Sequence, residues 1–303
     1  MHEHTTKAAI IGLGNVGSAL AYDLIGSALN LELGLYDIDQ DLAKSQYFDL
    51  LHALPIKSSD ITLKHHTNLS TVQDCKVICI TAGISQKPGQ NRLALLNQNY
   101  GIIRDIINQV ITTNSEAIII ILTNPVDVIL SKLFSDPSNQ GYAREFGRII
   151  STGTLLDTHR LYAELGLKPF NYDYTTEPMI VGEHGDSQKL LNPTIRRISN
   201  ETQKAVREFA YDIIQGKGYT NFGIAATTSF LIDILIQNKS AILPLSTHYS
   251  YASKHFGVAL SVPVAVGGGK ILGIMNGYDT AMAADIVRDS KSVILSKSSF
   301  DGI

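Results

Sequence analysis

The chain has 303 residues with a formal net charge of −3; 44% of them are hydrophobic and 17% charged, enough to bury a large core as one or two domains. That balance makes no electrostatic case for nucleic acid or an anionic membrane. Apolar runs such as Ala117–Leu122 are far shorter than the roughly 20 residues that span a bilayer. Met1-His2-Glu3-His4 passes almost directly into a strand pattern and leaves no room for a signal peptide. Cys75 and Cys79 read as buried thiols of a reducing compartment, neither a disulfide nor a metal site, so a cytoplasmic protein without a metal is expected.

In chain order, short β-branched runs at Lys7–Ile11, Glu32–Tyr36, Lys76–Ile80 and Ala117–Leu122 alternate with helical patterns at Val16–Ser27, Asp39–Leu51 and Arg92–Thr112. This is the pattern of βαβ units in a parallel sheet. Turn signals at Asp136-Pro137-Ser138-Asn139 precede a boundary near Gly141–Gly147, and the predicted division is 1–144 and 145–303. The second half mixes helices with Thr- and Tyr-rich strands and reads as α+β; Gly267-Gly268-Gly269 is a turn between strands. His65-His66, like His2 and His4, has no ligand-like company and is expected in solvent.

Gly12-Leu13-Gly14-Asn15-Val16-Gly17 follows the first strand and opens a helix, the context in which GxGxxG means dinucleotide binding. Gly12 permits the tight turn, Gly14 lets the backbone approach a pyrophosphate, and Gly17 allows close helix–strand packing. Asp37 follows Gly17 by 20 residues and ends the second strand, where a carboxylate binds the ribose hydroxyls of NAD and repels the extra phosphate of NADP. The expected fold is therefore α/β, a Rossmann-type doubly wound parallel sheet that binds NAD, followed by an α+β substrate domain.

Three further stretches bear chemistry. Thr81–Arg92 is a Gly- and Pro-bearing loop with cationic and amide groups, suited to a lid. Asn124-Pro125, at the end of a strand, is a turn that can be cis and can aim the Asn124 amide into the cleft. Asp157 and Arg160, at i and i+3 of a helix, share a face and can enter one pocket. Near the middle of the chain, Gly182-Glu183-His184-Gly185-Asp186-Ser187 sets a histidine that can carry a proton at neutral pH between two glycines.

Taken in order, the blocks Gly12–Gly17, Thr81–Arg92, Leu122–Val128, Gly153–Arg160, Gly182–Ser187 and Lys217–Thr220 resemble the lactate/malate dehydrogenase family over most of the chain. The resemblance implies an NAD-dependent L-2-hydroxy acid dehydrogenase, with reversible hydride transfer between NADH and the keto carbon of the substrate. His184 would exchange the proton with the substrate oxygen, and Asp157 would orient and stabilise the imidazolium. Arg160 would hold the substrate carboxylate by a bidentate fork, and Arg92, carried in by the lid, would polarise the carbonyl. Asn124 would bind substrate and cofactor, with Thr220 and Ile224 bordering substrate and nicotinamide. The implied cofactor site is Gly12, Gly14, Val16, Gly17, Asp37, Thr81, Gly83, Asn124 and Ile224.

Substrate choice turns on Gln86, where the family's malate branch carries arginine. A neutral amide gives no counter-charge to a second carboxylate, so a small monocarboxylate such as pyruvate is expected, and hence a lactate dehydrogenase. Gln90-Asn91 replaces a more usual Glu-Thr, and His159 stands where a small residue is usual but points away from Asp157. The interval from His184 to Thr220, 36 residues, is short for the family. It keeps open a dehydrogenase for bulkier acids such as 2-hydroxyisocaproate, with malate dehydrogenase behind it. An NAD-dependent glycoside hydrolase would want metal ligands that Cys75 and Cys79 do not offer, and a non-catalytic NAD sensor would not need the whole constellation. A homo-oligomer, dimer or tetramer, is expected. Tyr162 and Glu177 occupy the positions where related enzymes bind fructose 1,6-bisphosphate with an arginine and a histidine, so activation by that anion is not expected.

Overall fold

The computed structural model describes residues 5–57, 59–84, 92–136, 138–139, 142, 147–168, 177–191, 197–248, 257–275 and 281–298. Six strands, β1 (Thr6–Ile11), β2 (Leu31–Tyr36), β3 (Thr62–His65), β4 (Val77–Ile80), β5 (Ile118–Ile121) and β6 (Ile149–Ile150), form a parallel sheet in the order β3-β2-β1-β4-β5-β6. Every residue of β4 and β5 is buried. Neighbouring residues on a strand face opposite ways, so both faces of these strands are covered, and their sequences are unbroken apolar runs. The sheet is the doubly wound fold expected. Its order reverses between β1 and β4, which opens a crevice at their carboxyl ends.

The linking helices are α1 (Asn15–Leu24), α2 (Gln40–Lys57), α3 (Arg92–Val110) and α4 (Val126–Ser135). α1 ends before Ser27 because the Ser27 hydroxyl turns back to donate to the Leu24 carbonyl at 2.6 Å. α2 runs past Leu51 to Lys57. β3 and β6 escape the sequence patterns for different reasons. β3 alternates polar residues around the single buried Leu63, and β6 has only two residues. β6 lies past residue 144, so the last strand of the parallel sheet comes from the stretch assigned on sequence to the second half.

That second half holds α5 (Leu155–Glu164), β7 (Met179–Val181), β8 (Lys189–Leu191), α6 (Asn200–Lys217), α7 (Phe222–Ile236), β9 (Ala241–His248), β10 (Ala259–Gly267), β11 (Lys270–Ile274) and α8 (Ala281–Ser298). β9, β10 and β11 form an antiparallel sheet, and β7 pairs with β8. Gly268 and Gly269, at φ +58° and +71°, make the turn from β10 to β11. One apolar core runs through both halves, from Ile10 and Ile119 to Leu155, Leu231 and Val262.

The histidine pair corrects the expectation from sequence. His66 is only 5% exposed, and its Nδ1 lies 2.7 Å from the Thr71 hydroxyl. A Cβ on Gly34 of β2 would stand 2.8 Å from His66 Nε2, so the bare glycine makes the room. Burial, with Lys64 next, holds the His66 pKa below its usual value. His65 is half-buried at the end of β3, its ring 6.0 Å from that of Tyr47. Pairing of β3 with β2 draws both out of solvent. His2 and His4 lie outside the described residues.

Candidate active site

The glycine-rich turn lies at the sheet's switch point. Gly12 has φ +100°, and a Cβ there would sit 2.5 Å from the Ala82 nitrogen. A Cβ on Gly17 would meet the Gly12 oxygen at 1.9 Å, so α1 can start this close to β1 only with glycine there. Around Gly14 nothing lies within 4 Å of where a Cβ would be, and α1 has no side-chain cap there. Uncapped N–H groups, a positive helix end and open space are what a pyrophosphate needs. Val16, in the first turn, is half-buried.

Asp37 is placed by hydrogen bonds rather than left in solvent. Its Oδ2 accepts from the Leu13 N–H at 2.6 Å and its Oδ1 from the Asp39 N–H at 2.9 Å. Each oxygen keeps a lone pair for a hydroxyl. Next to it Ile38 is 89% exposed, an apolar surface at the mouth of the crevice that no motif singled out. Across the crevice, Thr81 donates from its hydroxyl to the Gly12 carbonyl at 2.6 Å, with exposed Gly83 just beyond. The open space at Gly14, the uncapped start of α1 and the Asp37 carboxylate fit NAD.

The candidate acid–base group is assembled from two elements. Asp157, in the first turn of α5, has a side chain 4% exposed. Its Oδ1 accepts from Arg160 Nη1 at 2.7 Å, and its Oδ2 faces His184 Nδ1 at 2.7 Å. A carboxylate only accepts, so Nδ1 carries the hydrogen and Nε2 is left to exchange a proton. The His184 side chain remains 23% exposed, open to a substrate. Burial alone would lower the His184 pKa, but the Asp157 carboxylate outweighs it and raises the value above 6.5. Burial likewise opposes the ionised form of Asp157, and His184 with Arg160 overcomes that to hold its pKa below the usual range.

Other residues fall beside this group. The Asn124–Pro125 peptide is cis, and exposed Asn124 accepts from the Val126 N–H at 3.4 Å. Asn99 of α3, which no motif marks, donates to the carbonyls of Ile84 and Asn124 at 3.2 and 3.1 Å and so ties the root of the lid to the asparagine turn. Thr220 and Ile224, both half-buried, flank the start of α7. That turn packs on α5, since a Cβ on Gly223 would lie 3.2 Å from Leu156 Cδ1. Gln86 and the side chain of Arg92 lie outside what the structure describes.

The histidine loop is held from below by groups the sequence does not advertise. Asp127 of α4 accepts from the His184 N–H at 2.6 Å. Ser246 and Ser261 face each other across β9 and β10, and each grips a segment of the candidate site. Ser246 exchanges backbone hydrogen bonds with Ser151, at 2.9 and 3.0 Å, and Ser261 does so with Gly182 at 2.8 and 2.9 Å. The Ser261 hydroxyl also accepts from the Thr154 N–H at 2.9 Å. From α8, Ser290 accepts from the Glu183 N–H at 3.0 Å, and Lys297 pairs with buried Glu183 at 2.5 Å.

His159 points away from Asp157, as expected, with its Nδ1 3.0 Å from the Thr227 hydroxyl and its ring edge-on to Phe230. Burial lowers its pKa to about 4. The unfolded chain, titrating near 6.5, therefore binds the proton first as pH falls. Stability from this group is complete above pH 6.5 and is lost toward pH 4, about 2 kcal/mol of it by pH 5. His159→Asn, which keeps a polar atom near Thr227, should lose less melting temperature than wild type between pH 7 and 5 in calorimetry. Equal losses in both proteins would refute the assignment.

The chain matches the model of the lactate/malate dehydrogenase NAD-binding domain over residues 6–147. It is 34% identical to an L-lactate dehydrogenase of Chloroherpeton thalassium, with 95% of this chain and 99% of that one aligned. It is 32% identical to L-lactate dehydrogenase 2 of Lactococcus lactis, over 86% and 87% of the two chains. The structure superimposes on malate dehydrogenase from Archaeoglobus fulgidus in complex with NADH with a TM-score of 0.85, at 26% identity and over 98% and 100% of the chains. With the glycine turn, Asp37 and the His184 cluster all present, the chain belongs to the lactate/malate dehydrogenase family of NAD-dependent 2-hydroxy acid dehydrogenases.

Proposed function

We propose that this enzyme is an L-lactate dehydrogenase that interconverts pyruvate and lactate, with His184 as proton donor and acceptor. Arg160 binds the substrate carboxylate, which leaves the keto oxygen to His184 Nε2. Bound NADH supplies the hydride. The proton passes from Nε2 to the oxygen, and Asp157 stabilises the imidazolium before the transfer. Arg92 polarises the carbonyl when the lid closes, and loss of water strengthens that contact. Asn124, Thr220 and Ile224 border substrate and nicotinamide. We keep the division of the chain at 144/145 into cofactor and substrate parts as part of this proposal.

Gln86 carries the choice of substrate. A second carboxylate beside a neutral amide would be buried without a partner. A panel of 2-keto acids with NADH is expected to rank pyruvate above both oxaloacetate and 2-ketoisocaproate. Gln86→Arg should then move kcat/KM toward oxaloacetate by about 10²-fold or more, the scale of polar discrimination in a buried site. A wild-type enzyme that already prefers oxaloacetate would sink the lactate reading, and preference for 2-ketoisocaproate would favour the bulkier class. The same assay with NADPH should show at least about a tenfold loss, because Asp37 would oppose the added phosphate.

Two further readings concern assembly and regulation. α2 exposes Phe48, Leu51 and Ile56, the last 86% exposed, which supports a homo-oligomer. Light scattering that gives the mass of a single chain would rule it out. Buried Tyr162 and half-buried Glu177 offer no cation to a bisphosphate, so pyruvate saturation curves with and without fructose 1,6-bisphosphate should coincide.

A further inference from the structure

Asp127 is 3% exposed, one residue into α4 and three after Asn124. Its Oδ2 accepts from the His184 N–H at 2.6 Å, and its Oδ1 accepts from the Ser246 hydroxyl at 2.5 Å. Both donors are neutral. Ser246 is itself fixed by its two backbone bonds to Ser151. A buried carboxylate held only by neutral donors is costly, and such a group persists where a charge nearby compensates it. Burial pushes the Asp127 carboxyl up to about 6, against the pull of Ser246 and the His184 N–H. It is therefore largely ionised at neutral pH.

The charges around His184 explain what an ionised Asp127 is for. α5 contributes Asp157 and Arg160, which form a pair. The histidine's own loop contributes Glu183, which is paired with Lys297 of α8, and Asp186, which is exposed to solvent and accepts from the Tyr211 hydroxyl at 3.3 Å. α4 contributes Asp127. Leaving aside Asp186, whose charge is screened by solvent, these groups carry one uncompensated negative charge. Protonating His184 brings the sum to zero. Without Asp127, neutral His184 would be the balanced state and the imidazolium a surplus positive charge. A substrate carboxylate that engages Arg160 moves the balance further toward the imidazolium.

We propose that Asp127 is a positioning residue for proton transfer: its carboxylate clamps the main chain of His184 to α4 and is the counter-charge that balances the imidazolium. This rests on the reading of His184 as the proton-transfer group. It adds a function to the turn that carries Asn124, since the same turn then places a substrate-binding amide and the charge behind the histidine.

The test is the pH dependence of kcat/KM for pyruvate at saturating NADH, from pH 5.5 to 9, in Asp127→Asn. Asparagine keeps the shape and one acceptor and removes the charge. The basic limb is expected to move to lower pH by about one unit, the scale of a neighbouring carboxylate. On that limb the activity falls about tenfold, while at pH 6 it changes little and the NADH Kd stays the same. Asp157→Asn serves as the reference for a displaced limb. If His184→Ala keeps normal turnover, the reading of the histidine fails instead. A uniform loss at every pH with the limb in place would mean a structural role only and would overturn the proposal. Should Asp127→Asn lack a cooperative melting transition, Ser246→Ala decides. Removing that donor makes Asp127 easier to protonate, so a smaller displacement in the same direction is expected, and an unmoved limb overturns the proposal.

Discussion

His184→Ala is expected to lower kcat by about 10²–10⁴, the range for lost general acid–base catalysis, with the NADH Kd unchanged. The separation of the two effects follows from where the residues lie. The cofactor crevice is built from the turn after β1 and the end of β2, while His184 follows β7 and is held to α5 by Asp157. Alanine removes the proposed proton carrier and leaves Asp157 its bond to Arg160, so the buried carboxylate keeps a partner. Stopped-flow turnover and quenching of NADH fluorescence give the two numbers. Turnover within threefold of wild type would show that the proton comes from elsewhere.

The second large effect is expected at Arg160. Its Nη1 is occupied by Asp157, its side chain is 13% exposed, and the rest of the guanidinium fork remains to take a carboxylate. Arg160→Ala removes that fork and also one of the two groups that stabilise the Asp157 charge. The pyruvate KM should rise about 100-fold or more, in keeping with the 2–5 kcal/mol lost when one partner of a buried charged pair is truncated. Arg160→Lys should recover only part, since an ammonium cannot reach Asp157 and a substrate carboxylate with a planar fork. Steady-state kinetics decide it. A KM that is unchanged in the alanine variant would take the carboxylate away from Arg160.

These effects could be placed because the reacting groups sit in local signatures. A glycine turn opening a helix, an acidic residue one βα unit later and a histidine between glycines are all written within a few residues. The βαβ half was readable for the same reason, since buried parallel strands leave runs such as Ile118–Ile121 in the sequence. β3 leaves no such mark, being half polar at the edge of the sheet, and nothing local tells the histidines at its end from solvated ones. Nor is there anything local to distinguish Ser246, Ser261 or Ser290 from a serine on any strand or helix. Their partners, Asp127, Thr154 and Glu183, lie 119, 107 and 107 residues away. Only long-range packing discloses them, across the two halves for Ser246 and within the second half for Ser261 and Ser290.

Those separations also govern when activity can appear. A contact between groups more than a hundred residues apart closes a long loop, and its entropic cost must be met before the contact repays it. The crevice for the cofactor, by contrast, needs mainly neighbours along the chain: β1, α1 and β2 build one wall within the first 37 residues, and β4 with Thr81 closes the other. During refolding from urea, NADH binding should therefore return ahead of turnover. The chain would pass through a stage that holds its cofactor and cannot yet move a proton.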